Sequence, residues 1–408
     1  MKRFLFVFIF VIFLQKIAYA NSLMDLYNST ISKYPSFKSY KLKNKSLSFD
    51  IDAINITRFI NLKGEARKNL GNSINSYFIE DFITVNNNLD IFNKTKPKIE
   101  KINLEIEKNI KLINIEKKSI FLKLADEYFN ILKEKKILEI HKKTLEWINK
   151  NIFIVESGIK GGIFPANEID RWYIEKYKQE NVIENDNLQI KKAFTILINY
   201  SDIENLGKID DLKYIENLDL DLNTILINSP EFKINDILNK QIETDIEIEN
   251  RNWLPELNLS NIYNLNSGFS FLDRNFRNNL NMTFSAILNF NILDVGKKAR
   301  IDSLNSEIEF NKNDTLRIKK ELYNDISQKI LDIQNLKKQL INLKKIINIS
   351  ENNLNKLFIG YQKKFIDLNT LIVSYKENLL AQENYINTIS DLQKNSETLY
   401  HLSKGDIY

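Results

Sequence analysis

The sequence predicts a mainly helical protein with a smaller β portion, in which a strand–strand–long helix–helix unit occurs twice. Glycine and proline are scarce, two regions of about sixty residues contain neither, and an alternating pattern of apolar and polar residues precedes each region. Only 10 Gly and 5 Pro occur in 408 residues, whereas ordinary usage is about 7% and 5%. This scarcity favours long uninterrupted helices over a loop-rich α/β fold.

Composition excludes several classes of function. Lys and Arg number 58 against 53 Asp and Glu, and the excess lies largely in the first twenty residues. Nucleic acid is therefore not expected as a partner, because its binding needs a clustered basic excess. The absence of Cys excludes disulfides and thiolate chemistry. Two histidines, His141 and His401, are too few for most zinc or haem sites, so no cofactor is expected and both are interpreted as ordinary helix residues.

Residues 1–20 are interpreted as a secretory signal peptide. Lys2 and Arg3 form a basic start, residues 4–14 are apolar, and the Ala-x-Ala pattern at 18–20 predicts cleavage after Ala20. The alternative is an uncleaved membrane anchor, but the apolar run is shorter than the roughly 20 residues that a spanning helix needs. No later uncharged stretch approaches that length, so we expect an exported chain whose membrane insertion does not use helices.

Two long helices are predicted where Gly and Pro are missing, between Pro97 and Gly158 and between Gly296 and Gly360. In the second region apolar residues recur in alternating steps of four and three, the 3.5-residue repeat that keeps one helix face towards a partner. These positions are Leu336, Leu340, Leu343, Ile347, Leu354 and Leu357, with Ser350 as the polar member. A shorter helix should follow each long one, over about 167–199 and 368–403.

Alternating patterns ahead of the long helices predict β-strands. From Leu280 to Ile292 even-numbered residues are apolar and odd-numbered residues are polar, with a single exception. A partner strand is predicted over 257–266, with a loop over 268–279, and a weaker pair over 60–67 and 83–91. One interpretation is a soluble sheet with one wet face. The length of the strands and the signal peptide instead favour a membrane β-barrel.

In the barrel interpretation, one side of the strand over 280–292 faces lipid. The lipid-facing residues are Met282, Phe284, Ala286 and Leu288. Four strands cannot close a barrel, since bacterial outer-membrane barrels have at least eight and an open edge in lipid leaves backbone groups unpaired. We therefore expect several copies of the chain to complete the barrel, most simply as a symmetric homo-oligomer.

Matching segments indicate an internal duplication. Residues 34–37 match residues 229–232, and residues 89–92 match residues 290–293, each pair being roughly 200 residues apart. A duplicated unit changes the fold prediction, because each half must then contain the same elements: a short helix, two strands, a very long helix, a break and a shorter helix. The predicted organisation is a signal peptide over 1–20, a first repeat over 21–207 and a second repeat over 208–408.

Three segments resemble the TolC-like family of outer-membrane efflux and secretion channels. They are Trp253–Leu257 before a strand, Asn291–Lys297 between a strand and a long helix, and Gly161–Asp170 at a helical turn. The resemblance extends over essentially the whole chain after residue 20 and depends chiefly on the order of elements. It implies a homotrimer with a 12-stranded β-barrel in the outer membrane, continuous with a long periplasmic α-helical barrel.

The resemblance also implies a passive exit channel rather than an enzyme. Its periplasmic end would meet a periplasmic adaptor (a membrane fusion protein) and an inner-membrane pump, either an ABC transporter or a proton-driven one. The family's turn at the tip of the first helical hairpin corresponds to Gly161, Gly162, Ile163, Phe164 and Pro165, which are expected to dock the adaptor. The two glycines allow a tight reversal, and Pro165 can start the returning helix.

The predicted tip of the second hairpin departs from the family pattern. Lys364 stands near a position where Gly is usual. Asp367 matches one of two aspartates that ring the closed entrance, and Thr370 stands at the second position. Lys363 matches a basic residue of the same constriction. The resemblance therefore implies a constriction at Lys363 and Asp367 with one carboxylate ring; the alternative is an ordinary solvated helix turn.

The three tryptophans have structural interpretations. Trp147 and Trp172 lie on either side of the first turn and are predicted to pack the helices together. Trp253 is assigned equally to a membrane interface, where aromatic residues concentrate, and to a simple helix-to-strand transition.

Two other classes of protein share parts of these patterns. A periplasmic adaptor would need a Gly-rich sheet around a single hairpin, and a structural coiled-coil protein of the cell envelope would not need the alternation at 280–292. An enzyme is not expected, because no nucleophile–base or carboxylate pair stands out. The sequence leaves open the cargo, the pump, and the choice between drug efflux and type I protein secretion.

Overall fold

The computed structural model describes residues 22–58, 66–73, 76–201, 226, 229–270, 275–291 and 293–404. The predicted signal peptide, residues 60–65 of the first predicted strand and the predicted repeat boundary at 207 lie outside these residues. In chain order the elements are α1 (Leu23–Lys33), α2 (Pro35–Thr57), β1 (Ala66–Ser73), β2 (Ser76–Leu89), α3 (Lys96–Lys160), α4 (Asn167–Ser201), α5 (Pro230–Arg251), β3 (Glu256–Ser270), β4 (Asn275–Asn289), α6 (Lys297–Gln362) and α7 (Leu368–Lys404).

The structure confirms both long helices and both shorter ones. α3 has 65 residues and α6 has 66, which at 1.5 Å per residue corresponds to roughly 100 Å of helix each. The predicted seam of α6 faces the protein: Leu340 is buried and the other seam positions are half-buried, while nearly all positions between them are exposed. α4 and α7 begin at Asn167 and Leu368, as predicted.

Helix starts follow local sequence signals. α1, which the sequence analysis does not predict, begins with a capping box in which Ser22 and Asp25 exchange backbone-to-side-chain hydrogen bonds of 3.2 Å. Pro35 and Pro230, from the duplicated segment, are the first residues of α2 and α5. Proline is well suited to this position because its missing N–H has no partner within the helix. The two halves therefore begin their equivalent helices in the same way.

The four strands form one antiparallel sheet in the order β1-β2-β3-β4. Their bounds correct the prediction: β4 runs over 275–289 rather than 280–292, and most of the predicted loop over 268–279 is strand. Gly, Asn and Asp in that loop usually mark turns, but cross-strand pairs such as Gly268 with Arg277 incorporate the segment into the sheet. β2 likewise begins earlier than predicted, at Ser76.

The chain divides into two compact units, and each takes residues from both halves of the sequence. The first contains residues 1–37, 114–229 and 320–408; the second contains 38–113 and 230–319, including the sheet. Among the fully buried side chains of the first unit are Phe121, Leu124, Ile131 and Leu392. Among the described residues, no helix has the length and apolar character needed to cross a membrane.

Candidate functional site

α3 ends in a Schellman motif at the turn that leads to α4. The N–H of Ile163 donates to the carbonyl of Gly158 at 2.7 Å, and the N–H of Gly162 donates to the carbonyl of Ile159 at 3.0 Å. Gly162 has a φ of +68°, in the left-handed region that side chains disfavour. Glycine at 162 therefore lets the chain reverse here without the strain that a side chain would bring.

Of the two glycines predicted to allow the reversal, only Gly162 has a positive φ. A Cβ on Gly161 would make ordinary contacts, the nearest being 3.6 Å away, whereas a Cβ on Gly158 would lie 2.3 Å from the Phe164 ring. Gly158 thus has a packing role that the sequence analysis does not predict. It lets the Phe164 ring lie directly against the end of α3.

The turn between α6 and α7 repeats this geometry. The N–H of Phe365 donates to the carbonyl of Gly360 at 2.8 Å, and the N–H of Lys364 donates to the carbonyl of Tyr361 at 3.0 Å. Lys364 has a φ of +65°, so it occupies the left-handed position that glycine holds in the first turn. A Cβ on Gly360 would lie 2.7 Å from the Ile366 side chain. Gly360 therefore packs against Ile366 as Gly158 packs against Phe164 in the first turn.

The two turns give a matched prediction. Gly162→Lys should destabilise the first turn by about 1 kcal/mol, because a side chain in the left-handed region costs about 1–2 kcal/mol. Lys364→Gly should stabilise the second turn by roughly 0.5 kcal/mol, since it relieves that strain but loses the contact of Lys364 with the Phe164 ring, 4.7 Å away. Hydrogen exchange of the Ile163 and Phe365 amides measures both effects. Changes of the same sign would contradict the assignment.

A shared core joins the two turns. Phe164 is 7% exposed and stacks on Tyr361 with ring centroids 5.3 Å apart. Trp172 is fully buried, and its Nε1–H donates to the Tyr361 hydroxyl at 3.3 Å. That hydroxyl in turn donates to Glu168 Oε2 at 2.7 Å. Burial raises the pKa of the Tyr361 phenol, so it remains a hydrogen-bond donor.

Trp147 and Trp172 both pack in this shared core. The Trp147 ring lies 5.6 Å from the Trp172 ring, and it also contacts Phe358 of α6 and Tyr375 of α7. Both tryptophans therefore pack helices together, as predicted, but they join the first hairpin to the second rather than only α3 to α4.

The predicted docking residues differ in accessibility. Gly161, Gly162, Ile163 and Pro165 are exposed, but Phe164 is buried, so its side chain belongs to the shared core rather than to the surface. Pro165 lies two residues before α4 instead of starting it, and its carbonyl accepts a hydrogen bond from the N–H of Glu168 at 3.1 Å.

Each turn also exposes one large apolar side chain. Ile163 is 53% exposed and Phe365 is 81% exposed. Both follow the left-handed residue of their turn directly, at the same place in the repeated motif. The two turns therefore present a similar apolar surface.

Asp367 is the N-cap of α7. Its Oδ1 accepts the N–H of Thr370 at 3.0 Å and its Oδ2 accepts the Thr370 hydroxyl at 2.7 Å. These hydrogen bonds lower the pKa of the Asp367 carboxyl. Lys363 is exposed, and within the described residues of a single chain no ion pair joins it to Asp367. The sequence analysis identifies the residue but not its capping role.

His141 has a structural role that the sequence analysis does not predict. It is 4% exposed, and its Nδ1 lies 2.6 Å from Asp186 Oδ2 on α4. Its Nε2 lies 2.8 Å from Glu383 Oε1 on α7. The His141 bridge, formed by these three residues, therefore connects α3, α4 and α7. Its partners are distant in sequence, so no local pattern could have identified them.

The sheet carries one largely apolar face. Residues paired directly across antiparallel strands point to the same side. On one side the paired rows are Leu89–Leu257–Leu288, Asn87–Leu259–Ala286 and Val85–Asn261–Phe284; on the other they are Asn88–Asn258–Ile287, Asn86–Ser260–Ser285 and Thr84–Ile262–Thr283. The predicted residues Met282, Phe284, Ala286 and Leu288 are all exposed.

Trp253 lies next to this sheet in the chain. It falls between α5 and β3 and is 59% exposed. This position is compatible with both assignments made from the sequence, a membrane interface and a helix-to-strand transition.

Comparison with known proteins identifies the architecture. Neither a protein-family model nor a curated protein sequence matches the chain. Among solved structures, CusC, described in connection with transmembrane channel formation, superposes with a TM-score of 0.78 and 13% identity over 93% of this chain and 91% of CusC. The outer-membrane channel CmeC of Campylobacter jejuni gives 0.72 and 12%, over 95% and 86% of the two chains. The open-state channel MtrE of Neisseria gonorrhoeae gives 0.72 and 13%, over 93% and 88%.

The chain has the TolC-like channel fold. The resemblance found in three short segments is thereby confirmed at the level of the fold, which extends over nearly the whole of this chain. At identities of 12–13% the similarity shows the fold, but it does not assign a role to any individual residue of this chain. The roles of the turns and of the exposed strand residues therefore depend on the geometry described above.

Proposed function

We propose that this chain is the outer-membrane exit channel of a tripartite efflux or type I secretion system. It would act as a passive conduit, without catalysis, from a periplasmic adaptor and inner-membrane pump to the exterior. The observation that carries the proposal is the four-stranded sheet with one largely apolar face, joined to two helices of 65 and 66 residues in a TolC-like fold.

The sheet supports a membrane location and a trimer. β1 and β4 are its outer strands among the described residues, so each has an edge that an adjacent copy could pair. Three copies would supply twelve strands, which is within the range of closed outer-membrane barrels. In this arrangement Met282, Phe284, Ala286 and Leu288 contact lipid, and Trp253 lies at the membrane interface. The signal peptide over 1–20 would direct export.

The two turns support an adaptor-docking role. Ile163 and Phe365 expose large apolar side chains at equivalent places in the two repeated turns, and an adaptor that covers both would bury them. Gly161, Gly162 and Pro165 form the exposed backbone of the first turn, and the buried Phe164 side chain anchors the turn to the shared core. The adaptor would contact both turns of each copy.

The constriction proposal leads to a prediction about charge. Asp367→Asn should weaken block of the channel by divalent cations, because it removes the carboxylate that three copies would bring together around the axis. Asparagine caps helices about as well as aspartate, so the start of α7 should remain intact. Single-channel recordings with and without magnesium measure the effect. Unchanged block in Asp367→Asn, with a cation-sensitive wild type, would exclude Asp367 from the constriction.

Membrane fractionation followed by planar-bilayer recording tests the proposed function as a whole. The expected result is recovery in the outer membrane, cross-linking to a trimer in detergent, and stable conductance from the purified trimer. A cysteine introduced at Ile163 should cross-link to a periplasmic adaptor when the two are co-expressed. Recovery only as a soluble monomer would overturn the proposal.

A further inference from the structure

The number of protons in the His141 bridge follows from its geometry. Each ring nitrogen lies within hydrogen-bonding distance of a carboxylate oxygen, and each of these contacts needs a proton between the two atoms. A neutral imidazole has only one N–H. Both contacts therefore hold at once only when the ring is protonated or when one of the carboxyl groups is.

We propose that the His141 bridge is a proton-dependent link that holds α7 to the α3–α4 hairpin and opens as the pH rises. The link is a property of one chain and does not require the proposed channel function. If that function holds, opening of the bridge would loosen the second hairpin from the first.

The carboxylates around the bridge favour the extra proton. Asp186 and Glu383 contact the ring directly, and Glu134 on α3 lies near Asp186. Burial by itself lowers the pKa of His141, but the two carboxylates more than offset this, and the pKa is raised above the ordinary 6.5. Burial also raises the pKa of the Asp186 carboxyl. Both shifts keep a proton in the bridge.

The direction of the pH effect follows from these shifts. A group whose pKa is higher in the folded than in the unfolded protein stabilises the fold fully below its unfolded pKa. That contribution disappears as the pH rises through the folded value. For His141 the bridge should thus be intact at pH values below about 6.5 and should open as the pH rises through the higher pKa of the folded state.

Burial determines which contact opens first. The side chain of Asp186 is 8% exposed, whereas that of Glu383 is 28% exposed. A buried carboxylate without a donor is costly, so a neutral ring should keep its N–H towards Asp186 while Glu383 turns to water. Gln179 also donates to the His141 carbonyl at 3.3 Å, which helps hold α4 to α3. The contact between α3 and α7 is therefore the one that opens, next to Glu383.

Spin-label distances between α3 and α7 test this directly. The chain has no Cys, so Lys142→Cys and Asn384→Cys, both at exposed positions, can be labelled specifically. Labelled chains are diluted with unlabelled ones so that only the pair within one chain is measured. We expect one narrow distance distribution near pH 6 and a shifted or broadened one near pH 9.5.

Glu383→Gln provides the matched control. Its amide can accept from a ring N–H or donate to a ring lone pair, so the contact with His141 survives in both protonation states. The distances should then be the same at both pH values. Asp186→Asn gives a second variant of the same kind, and His141→Phe should show the broad distribution throughout.

Two results would overturn the proposal. One is an identical distance distribution near pH 6 and pH 9.5 in the labelled chain that keeps His141, Asp186 and Glu383. This result does not depend on whether any variant of the bridge folds. The other is a shift in Glu383→Gln equal to that in the unaltered chain, which would place the titrating group elsewhere. Neither depends on conductance, so failure of the proposed channel function would be seen separately in bilayer recordings.

Discussion

Phe284→Arg is expected to prevent assembly of the proposed barrel, at a cost of about 2–4 kcal/mol for an arginine near the bilayer midplane. Phe284 lies in the interior of β4, is 66% exposed and belongs to the largely apolar face of the sheet. In the proposed trimer this exposed ring contacts lipid. A guanidinium at the same place would have to leave water for hydrocarbon.

Ser285→Arg is the matched control. Ser285 is the next residue of the same strand, points to the opposite face, and lies beside Ser260 of β3. If that face lines a water-filled lumen, an arginine there keeps its hydration and assembly should be nearly normal. Heat-resistant trimer recovered from the outer membrane measures both variants. Equal loss in the two would show that the faces are assigned wrongly or that the sheet is not in a membrane.

Trp172→Ala is expected to separate the two helical turns, with a loss of about 3–5 kcal/mol from the core that joins them. Trp172 is fully buried in a cluster with Ile148, Val155, Tyr361 and Leu371, from α3, α6 and α7. Its removal leaves a cavity among these side chains. It also deprives the Tyr361 hydroxyl of the Nε1–H that donates to it.

Hydrogen exchange of the amides around both turns measures this loss. At about 1.4 kcal/mol per factor of ten, exchange should accelerate by roughly 100- to 4000-fold at 158–172 and at 358–371 together. Trp253→Ala deletes the same side chain at a site that is 59% exposed, and it should change exchange at the turns very little. Acceleration confined to the first turn would show that the core does not couple the hairpins.

The helical part of the fold could be predicted from the sequence because its signals are local. The absence of Gly and Pro from two long regions leaves nothing to interrupt a helix, and the steps of four and three around Leu340 identify the buried seam of α6. Pro35 and Pro230 mark equivalent helix starts. Each of these inferences needs only residues within a turn or two of one another.

The strand ends could not be predicted because pairing, rather than pattern, defines them. Residues 268–270 and 275–279 contain Gly and Asn, which locally favour a turn, yet each is paired with a residue across the hairpin. At the opposite end the alternation continues to Ile292, but pairing with β3 stops at Asn289. The hydrogen bonds to the partner strand keep these residues extended, although their local sequence favours a turn.

The sequence predicts the positions of the two helical turns, but only part of the contacts that form them. The resemblance located both turns, and Lys364 was recognised as standing where Gly is usual. Gly158 and Phe164, like Gly360 and Ile366, lie six residues apart, but this shared spacing does not by itself reveal the close contact of each pair. The His141 bridge could not be found, since its carboxylates lie on α4 and α7 and come together only in the folded chain.

The position of β4 at the edge of the sheet affects how the chain behaves before it assembles. β4 has fifteen residues with no proline and a single charged residue, Arg277, and within the described parts of the chain only one of its edges is paired, with β3. Long edges of this kind recruit other strands indiscriminately. An unassembled chain should therefore aggregate in water unless another protein covers this edge, and refolding yield should fall as chain concentration rises in the absence of detergent.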